Sequence, residues 1–252
     1  MSIENKIKIL LDQHTPGTVF LASWLEKLGI SRALQQRYKS SGWLEPIGHG
    51  AYIRPKDNIT WQSALASISK QTEAPVHVGA ITALAVQGFS HYLKTEGETV
   101  HLFSHGKYRL PKWFLDFNWN VPIKLHQITS IPRAIGVTER EYEKQRMTIS
   151  NPERAIIECL LLTPQTIDMV ECYHLMESLV NLRPPMLQEL LEGCTSVKAK
   201  RMFLFLAENI NHQWFEYLDV SGITLGSGDR HIVASGAFDS KYRITVPKEL
   251  HL

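Results

Sequence analysis

The sequence predicts an α+β protein: an N-terminal winged helix-turn-helix followed by a mixed α+β C-terminal domain. Three observations predict it. The segment Ser31–Arg54, SRALQQRYKSSGWLEPIGHGAYIR, reads as a helix running directly into a β-hairpin. Two apolar stripes at helical spacing precede it. After Pro75, short strand-like runs are interleaved with helical ones.

Each element has its own warrant. Ile3, Ile7, Leu10 and Leu11 repeat at helical spacing, and Thr15-Pro16-Gly17 breaks that helix. Leu21, Trp24, Leu25 and Leu28 form a second stripe, closed by the tight turn Gly29-Ile30. Ser31 is a suitable N-cap for the third helix and Gly42 a suitable C′ residue. At ~100° per residue, Leu34, Tyr38 and Ser41 share the inward sector. Arg32, Gln36 and Lys39 lie opposite, with Gln35 flanking them. Trp43–Ile47 runs extended, Gly48-His49-Gly50 turns, and Ala51–Arg54 returns as the second strand of the wing. Thr60 then caps a helix carrying Trp61, Ala64, Leu65 and Ile68, and the polar stretch ending at Pro75 marks the boundary between domains at 1–72 and 73–252.

The second domain begins with Val76-His77-Val78-Gly79 and a helix near Ala80–Gln87. Strands are expected at Glu98–Ser104, Ile123–Ile128 and Met147–Ile149, with a short helix after Leu110-Pro111. Ser150-Asn-Pro-Glu153 reads as a capping box opening a helix that turns Ile156, Ile157, Leu160 and Leu161 inward. Three further helices are expected near Ile167–Leu179, Pro185–Glu192 and Val197–Glu208. In the tail, runs on either side of the Gly226–Arg230 turn suggest a hairpin.

The chemistry of the third helix suits duplex DNA. Arginine pairs with guanine edges and glutamine with adenine edges in the major groove. Arg32, Gln35 and Gln36 are therefore candidate base contacts, and Lys39 suits a phosphate. Arg37, His49 and Arg54 are supporting positions. A solvated helix face is the bland alternative, and the helix–turn–helix–hairpin order speaks against it. Residues 1–71 hold nine Lys/Arg against five Asp/Glu, whereas the whole chain carries only +2. The positive excess thus falls in the predicted DNA-binding part.

Other classes are poorly supported. No apolar run approaches the ~20 residues needed to span a bilayer. The amphipathic MSIENKIKILLDQH lacks the apolar core of a signal peptide, so a cytoplasmic protein without membrane contact is expected. Cys159, Cys172 and Cys194 are odd in number and far apart, which suits buried thiols rather than disulfides or zinc. His101 and His105 sit in a strand-and-turn context, not on a helical metal-binding face. Glu139, Glu141 and Glu143 read as a solvated strand edge. Gly226-Ser227-Gly228 lacks any Rossmann or Walker context. No catalytic residue, metal site or cofactor is expected. Lys198, Lys200 and Arg201 open a helix where cations oppose the dipole, and with Lys241 and Arg243 they suggest a C-terminal basic surface.

These pieces in this order resemble the AbiEi-type antitoxins of type IV toxin–antitoxin systems. PGTVFLASWLEKLGISRALQQRYKSSGWLEPIGHGAYIRP resembles that family's winged domain. PVHVGAITALAVQGFSHYL, VHLFS, LPKWF, ISNPERAIIECL, SVKAKRMFLFLAE and DSKYRITVPKEL resemble landmarks of its C-terminal domain. The resemblance implies repression of the chain's own operon through double-stranded operator DNA carrying inverted repeats. It also implies an antitoxic C-terminal domain and a nucleotidyltransferase-like toxin countered without a stable complex. His49 stands where the resemblance leads one to expect arginine, which lowers the wing's expected charge. Two rival classes remain: a protein-interaction module that binds the toxin directly, and a nucleic-acid-processing enzyme with a winged positioning domain.

Overall fold

The computed structural model describes residues 15–89, 99–142 and 145–251. The expected first helix and Glu143 lie outside them. The described chain forms two compact units. The first holds the residues up to Val76 together with Lys107–Pro122 and Arg140–Thr148. The second holds His77–Gly106, Ile123–Glu139 and the chain from Ile149 onward.

In the first unit, β1 (Phe20–Leu21) leads into α1 (Ala22–Lys27), and α2 (Arg32–Ser40) follows the Gly29 turn. The wing is β2 (Glu45–Gly48) and β3 (Ala51–Ile53), and the sheet order is β1-β3-β2, all antiparallel. Phe20, Leu25, Ile30, Leu34, Tyr38, Leu44 and Tyr52 make its core. Ser31 caps α2 by accepting from the Leu34 amide, and Gly42 adopts a left-handed φ of 73° just past the helix end. Ser41, expected inside, is instead the exposed C-cap, and Gln35 fills the inward sector.

Helix α3 (Trp61–Thr72) has the expected Thr60 cap, here a full capping box with Ser63. Its polar side chains finish β1. The Gln71 amide accepts from Leu21 N at 2.8 Å and donates to Val19 O at 2.6 Å, while Ser67 Oγ accepts from Val19 N. A side chain thus supplies the hydrogen bonds that a further strand would give. The short helix α5 (Lys112–Asp116) packs on β2. Trp113 lies so close that a Cβ on Gly48 would sit 2.6 Å from its own Cβ. Trp113, Phe114, Phe117 and Trp119 form a chain of ring contacts, and Trp119 Nε1 donates to Phe114 O.

The larger sheet runs β6-β5-β4-β8-β7, with β4 (Val76–Val78), β5 (Val100–His105), β6 (Ile123–Ile128), β7 (Val137–Tyr142) and β8 (Gln145–Ser150). Strands β5 and β6 pair in parallel from Val100↔Ile123 to His105↔Ile128. In the second unit, α4 (Ala80–Val86) packs on α6 (Pro152–Leu162), which also meets α7 (Met169–Glu177), α8 (Pro184–Gly193) and α9 (Val197–Ile210). Ile156, Ile157, Cys159 and Leu160 are fully buried there, as are Cys172 and, nearly so, Cys194. Among the described residues no helix is long and apolar enough to cross a membrane.

Two expectations for this unit fail. Ser150–Glu153 is not a capping box: Asn151 is the N-cap and makes no side-chain cap bond. Ser150 Oγ donates to Glu158, and Glu153 forms a two-oxygen pair with Arg183 at 2.9 Å. Buried acceptors and a charged fork outcompete the local cap. Nor does the Gly226–Arg230 turn join a hairpin. Strand β9 (Arg230–His231) runs parallel to β11 (Ile244–Val246), and the antiparallel partner of β11 is β10 (Ala237–Asp239).

A polar centre lies beneath α6. Glu158 is fully buried and accepts from His77 Nε2 (2.8 Å), Ala80 N (3.0 Å), Ser150 Oγ (2.8 Å) and Arg154 Nε (2.7 Å). Arg154 also donates to the carbonyls of Pro132 and Ile135. Burial alone would raise the Glu158 carboxyl, but His77, the Arg154 guanidinium and the Ala80 amide outweigh it and hold it below the usual range. Nearby, His101 Nδ1 and His126 Nε2 share a hydrogen bond of 2.9 Å beside the Phe103 ring. Burial, with His126 and Lys124 adding, pushes His101 from 6.5 down to about 4.

The His101 shift makes acid sensitivity an expected result. Between pH 6.5 and about 4 the unfolded chain takes up a proton that folded His101 refuses. Stability is therefore complete above 6.5 and falls as pH drops through that window, by a total on the order of 3 kcal/mol. Urea titrations from pH 7.5 to 4 check this, and in His101→Gln the fall across that window should shrink to the part owed to His126, which burial also lowers.

Candidate nucleic-acid interface

Helix α2 presents one buried stripe and one open face. Leu34, Gln35 and Tyr38 are buried, while Arg32, Ala33, Gln36, Arg37, Lys39 and Ser40 are exposed. Among the predicted contacts Arg32, Gln36, Arg37 and Lys39 thus share the open surface, and His49 is exposed at the wing turn. Arg54 is half-buried at the end of β3.

Gln35 is a correction. It is completely buried, and its Nε2 donates to Ala22 O at 3.0 Å and Ile30 O at 2.9 Å. It ties α2 to the start of α1 and to the interhelical turn, and it is not available to an outside ligand. Its Oε1 and the Tyr38 hydroxyl are buried without a hydrogen-bond partner among the described residues. Burial raises the Tyr38 phenol above its ordinary value.

The open face also contains two residues not singled out in the sequence, Ala33 and Ser40. Ala33, Gln36 and Ser40 form its crest, directly opposite the buried stripe. Centring the helical rotation on Leu34, Gln35 and Tyr38 would have found Ala33 and Ser40. A methyl such as that of Ala33 suits a thymine methyl. Trp43, just past the helix end, is 40% exposed. Glu26, in the last turn of α1, pairs with Arg32 at 2.9 Å.

Of the expected C-terminal basic surface, Lys241 and Arg243 are exposed, whereas Lys200 and Arg201 are buried. Arg201 is buried, and its guanidinium donates to the carbonyls of Leu225 (2.9 Å), Gly228 (2.6 Å), Gly226 (3.1 Å) and Arg243 (3.2 Å). Lys200 is buried, and Lys198 Nζ donates to Thr163 O, with burial lowering its ammonium's ordinary value. Lys241 pairs with Glu208, and Arg243 with Asp229 at 2.7 Å. Lys198 and Arg201 bind backbone carbonyls rather than facing an anionic ligand. Among the described residues no group of three or more His, Cys, Asp or Glu could hold a metal ion.

Comparison with known proteins accords with this architecture. A family model described as "Transcriptional regulator, AbiEi antitoxin, Type IV TA system" matches residues 97–247, and one for the AbiEi antitoxin N-terminal domain matches residues 3–95. The chain belongs to the AbiEi antitoxin family. AbiEi proteins are thereby described as transcriptional regulators of type IV toxin–antitoxin systems. The fold is also similar to the crystal structure of the Rv2827c protein from Mycobacterium tuberculosis. That likeness has a TM-score of 0.62 at 12% identity and covers 96% of this chain and 89% of the other. No curated protein matches the chain. For this AbiEi member, the N-terminal family match contains the whole of α2 and the wing.

Proposed function

We propose that this AbiEi chain represses its own toxin–antitoxin operon by placing α2 in the major groove of inverted repeats upstream, with the wing on the flanking backbone. In the same reading it acts in the cytoplasm as a binding protein, not an enzyme. It counters a nucleotidyltransferase-like toxin without holding it in a stable complex. The observation that carries the DNA reading is the open face of α2, where Arg32, Gln36, Arg37 and Lys39 surround a crest of small and amide side chains. The transcriptional-regulator description of the family supports it.

Fluorescence anisotropy on the chain's own upstream duplex, against a scrambled duplex and at two salt concentrations, tests it. A preference of ~10³ or more is expected. Equal weak binding to both would remove the repressor reading. Arg32→Ala should cost ~1–3 kcal/mol and relax specificity at one base pair. Lys39→Ala should weaken all duplexes alike and lower the salt slope by about one. Uniform losses in both variants would refute the division between base and phosphate contacts. For the antitoxin half, co-expression should suppress toxicity while the toxin fails to co-purify. A stoichiometric complex would replace this reading with direct binding.

A further inference from the structure

We propose that Glu26 makes Arg32 a reader of base edges by keeping phosphates away from it. The inference rests on α2 being the groove helix. Glu26 Oε1 lies 2.9 Å from Arg32 Nε, with both side chains substantially exposed, so the pair sits where DNA would arrive.

Helix stability does not account for this placement. Glu26 stands in the last turn of α1 and Arg32 is the first residue of α2, and each charge is at the end its helix dipole disfavours. The two residues instead make sense with respect to each other. The contact of the carboxylate, at 2.9 Å, is with Nε rather than with either of the two Nη groups. Those groups offer the paired donors that guanine O6 and N7 accept.

The carboxylate discriminates between ligands. A phosphate approaching Arg32 also approaches Glu26, and like-charge repulsion opposes the guanidinium's attraction. A guanine edge carries no net charge and meets no such opposition. Arg37 and Lys39, on the same helix, have no acidic partner among the described residues and suit phosphates. One arginine on this face is thereby reserved for sequence while its neighbours supply general affinity.

The test uses the full chain as wild type, Glu26→Gln, Arg32→Ala and the double variant. Each is titrated on the upstream and scrambled duplexes over a range of salt. Glu26→Gln should bind scrambled DNA about two- to fivefold more tightly, the range expected for loss of an exposed ion pair. Its salt slope on that duplex should steepen by up to about one as Arg32 becomes free for a phosphate. Its affinity for the upstream duplex should change less, so the preference falls. In the Arg32→Ala background the Glu26 substitution should have little effect.

An unchanged preference in Glu26→Gln, or the same gain with Arg32 removed, would overturn the inference and leave the repressor reading standing. A wild type without preference would overturn both. Thermal melting separates these outcomes from misfolding, since both side chains are exposed and their loss should leave the midpoint nearly unchanged.

Discussion

Glu158→Ala is expected to destabilise the second unit by about 3–5 kcal/mol, a large part of the total stability of an ordinary domain. The substitution removes one carboxylate but strands four donors: His77 Nε2, Ala80 N, Ser150 Oγ and Arg154 Nε. Arg154 keeps the Pro132 and Ile135 carbonyls yet remains a buried cation without a counter-charge. Glu158→Gln, nearly isosteric, should cost less, because it leaves no void and keeps one acceptor oxygen, although its amide nitrogen then faces two of the four donors. Urea unfolding followed by circular dichroism gives both values. A midpoint for Glu158→Ala within error of wild type would mean that the network contributes nothing net. The wild type should also weaken below the ordinary carboxylate range, as falling pH protonates a group whose folded value is depressed.

The second large effect is expected at Arg201. Its guanidinium has no carboxylate partner among the described residues. It is held by four carbonyls, three of them from Leu225, Gly226 and Gly228. Arg201→Ala should cost about 3 kcal/mol or more, because buried acceptors lose their donors and a large buried side chain leaves a void. Arg201→Lys should recover little, since one ammonium cannot reach carbonyls spread around a planar fork. Beyond the shift in melting temperature, limited proteolysis should cut the Gly226–Gly236 stretch faster in both variants. Lysine restoring full stability would show that charge alone, not the fork, secures the tail.

The order of helices and strands was legible in the sequence because apolar periodicity and turn residues report backbone state. The helix pair, the wing, the edges of β6 and the Thr60 cap are of this kind. What escaped was the fate of polar residues whose partners are remote in sequence. Gln35 has the same local signature as Gln36, one position along the helix. Only the carbonyls of Ala22 and Ile30 make it an interior residue. Ser150 and Glu153 have the spacing of a capping box, and Arg183 and Glu158 claim them instead. Arg201 looked like a surface cation because the acceptors that allow its burial are supplied by the tail. The open face of α2 was located correctly to within a sector, and its crest was displaced by assigning Ser41 rather than Gln35 to the inside.

Trp113 stands later in the chain than every residue of the helix pair and the wing, yet it presses directly on Gly48 of β2. During synthesis, a chain extended to Thr72 already holds the whole of α1, α2, the wing and α3. Roughly 40 further residues, a few seconds at ~5–20 residues per second, must follow before Trp113 can dock. The unit that carries α2 and the wing is therefore not finished when its N-terminal stretch has been translated. A ribosome that stalls or terminates early leaves a wing without its brace, so this unit matures only after the first stretch of the other unit, His77–Gly106, has also been made.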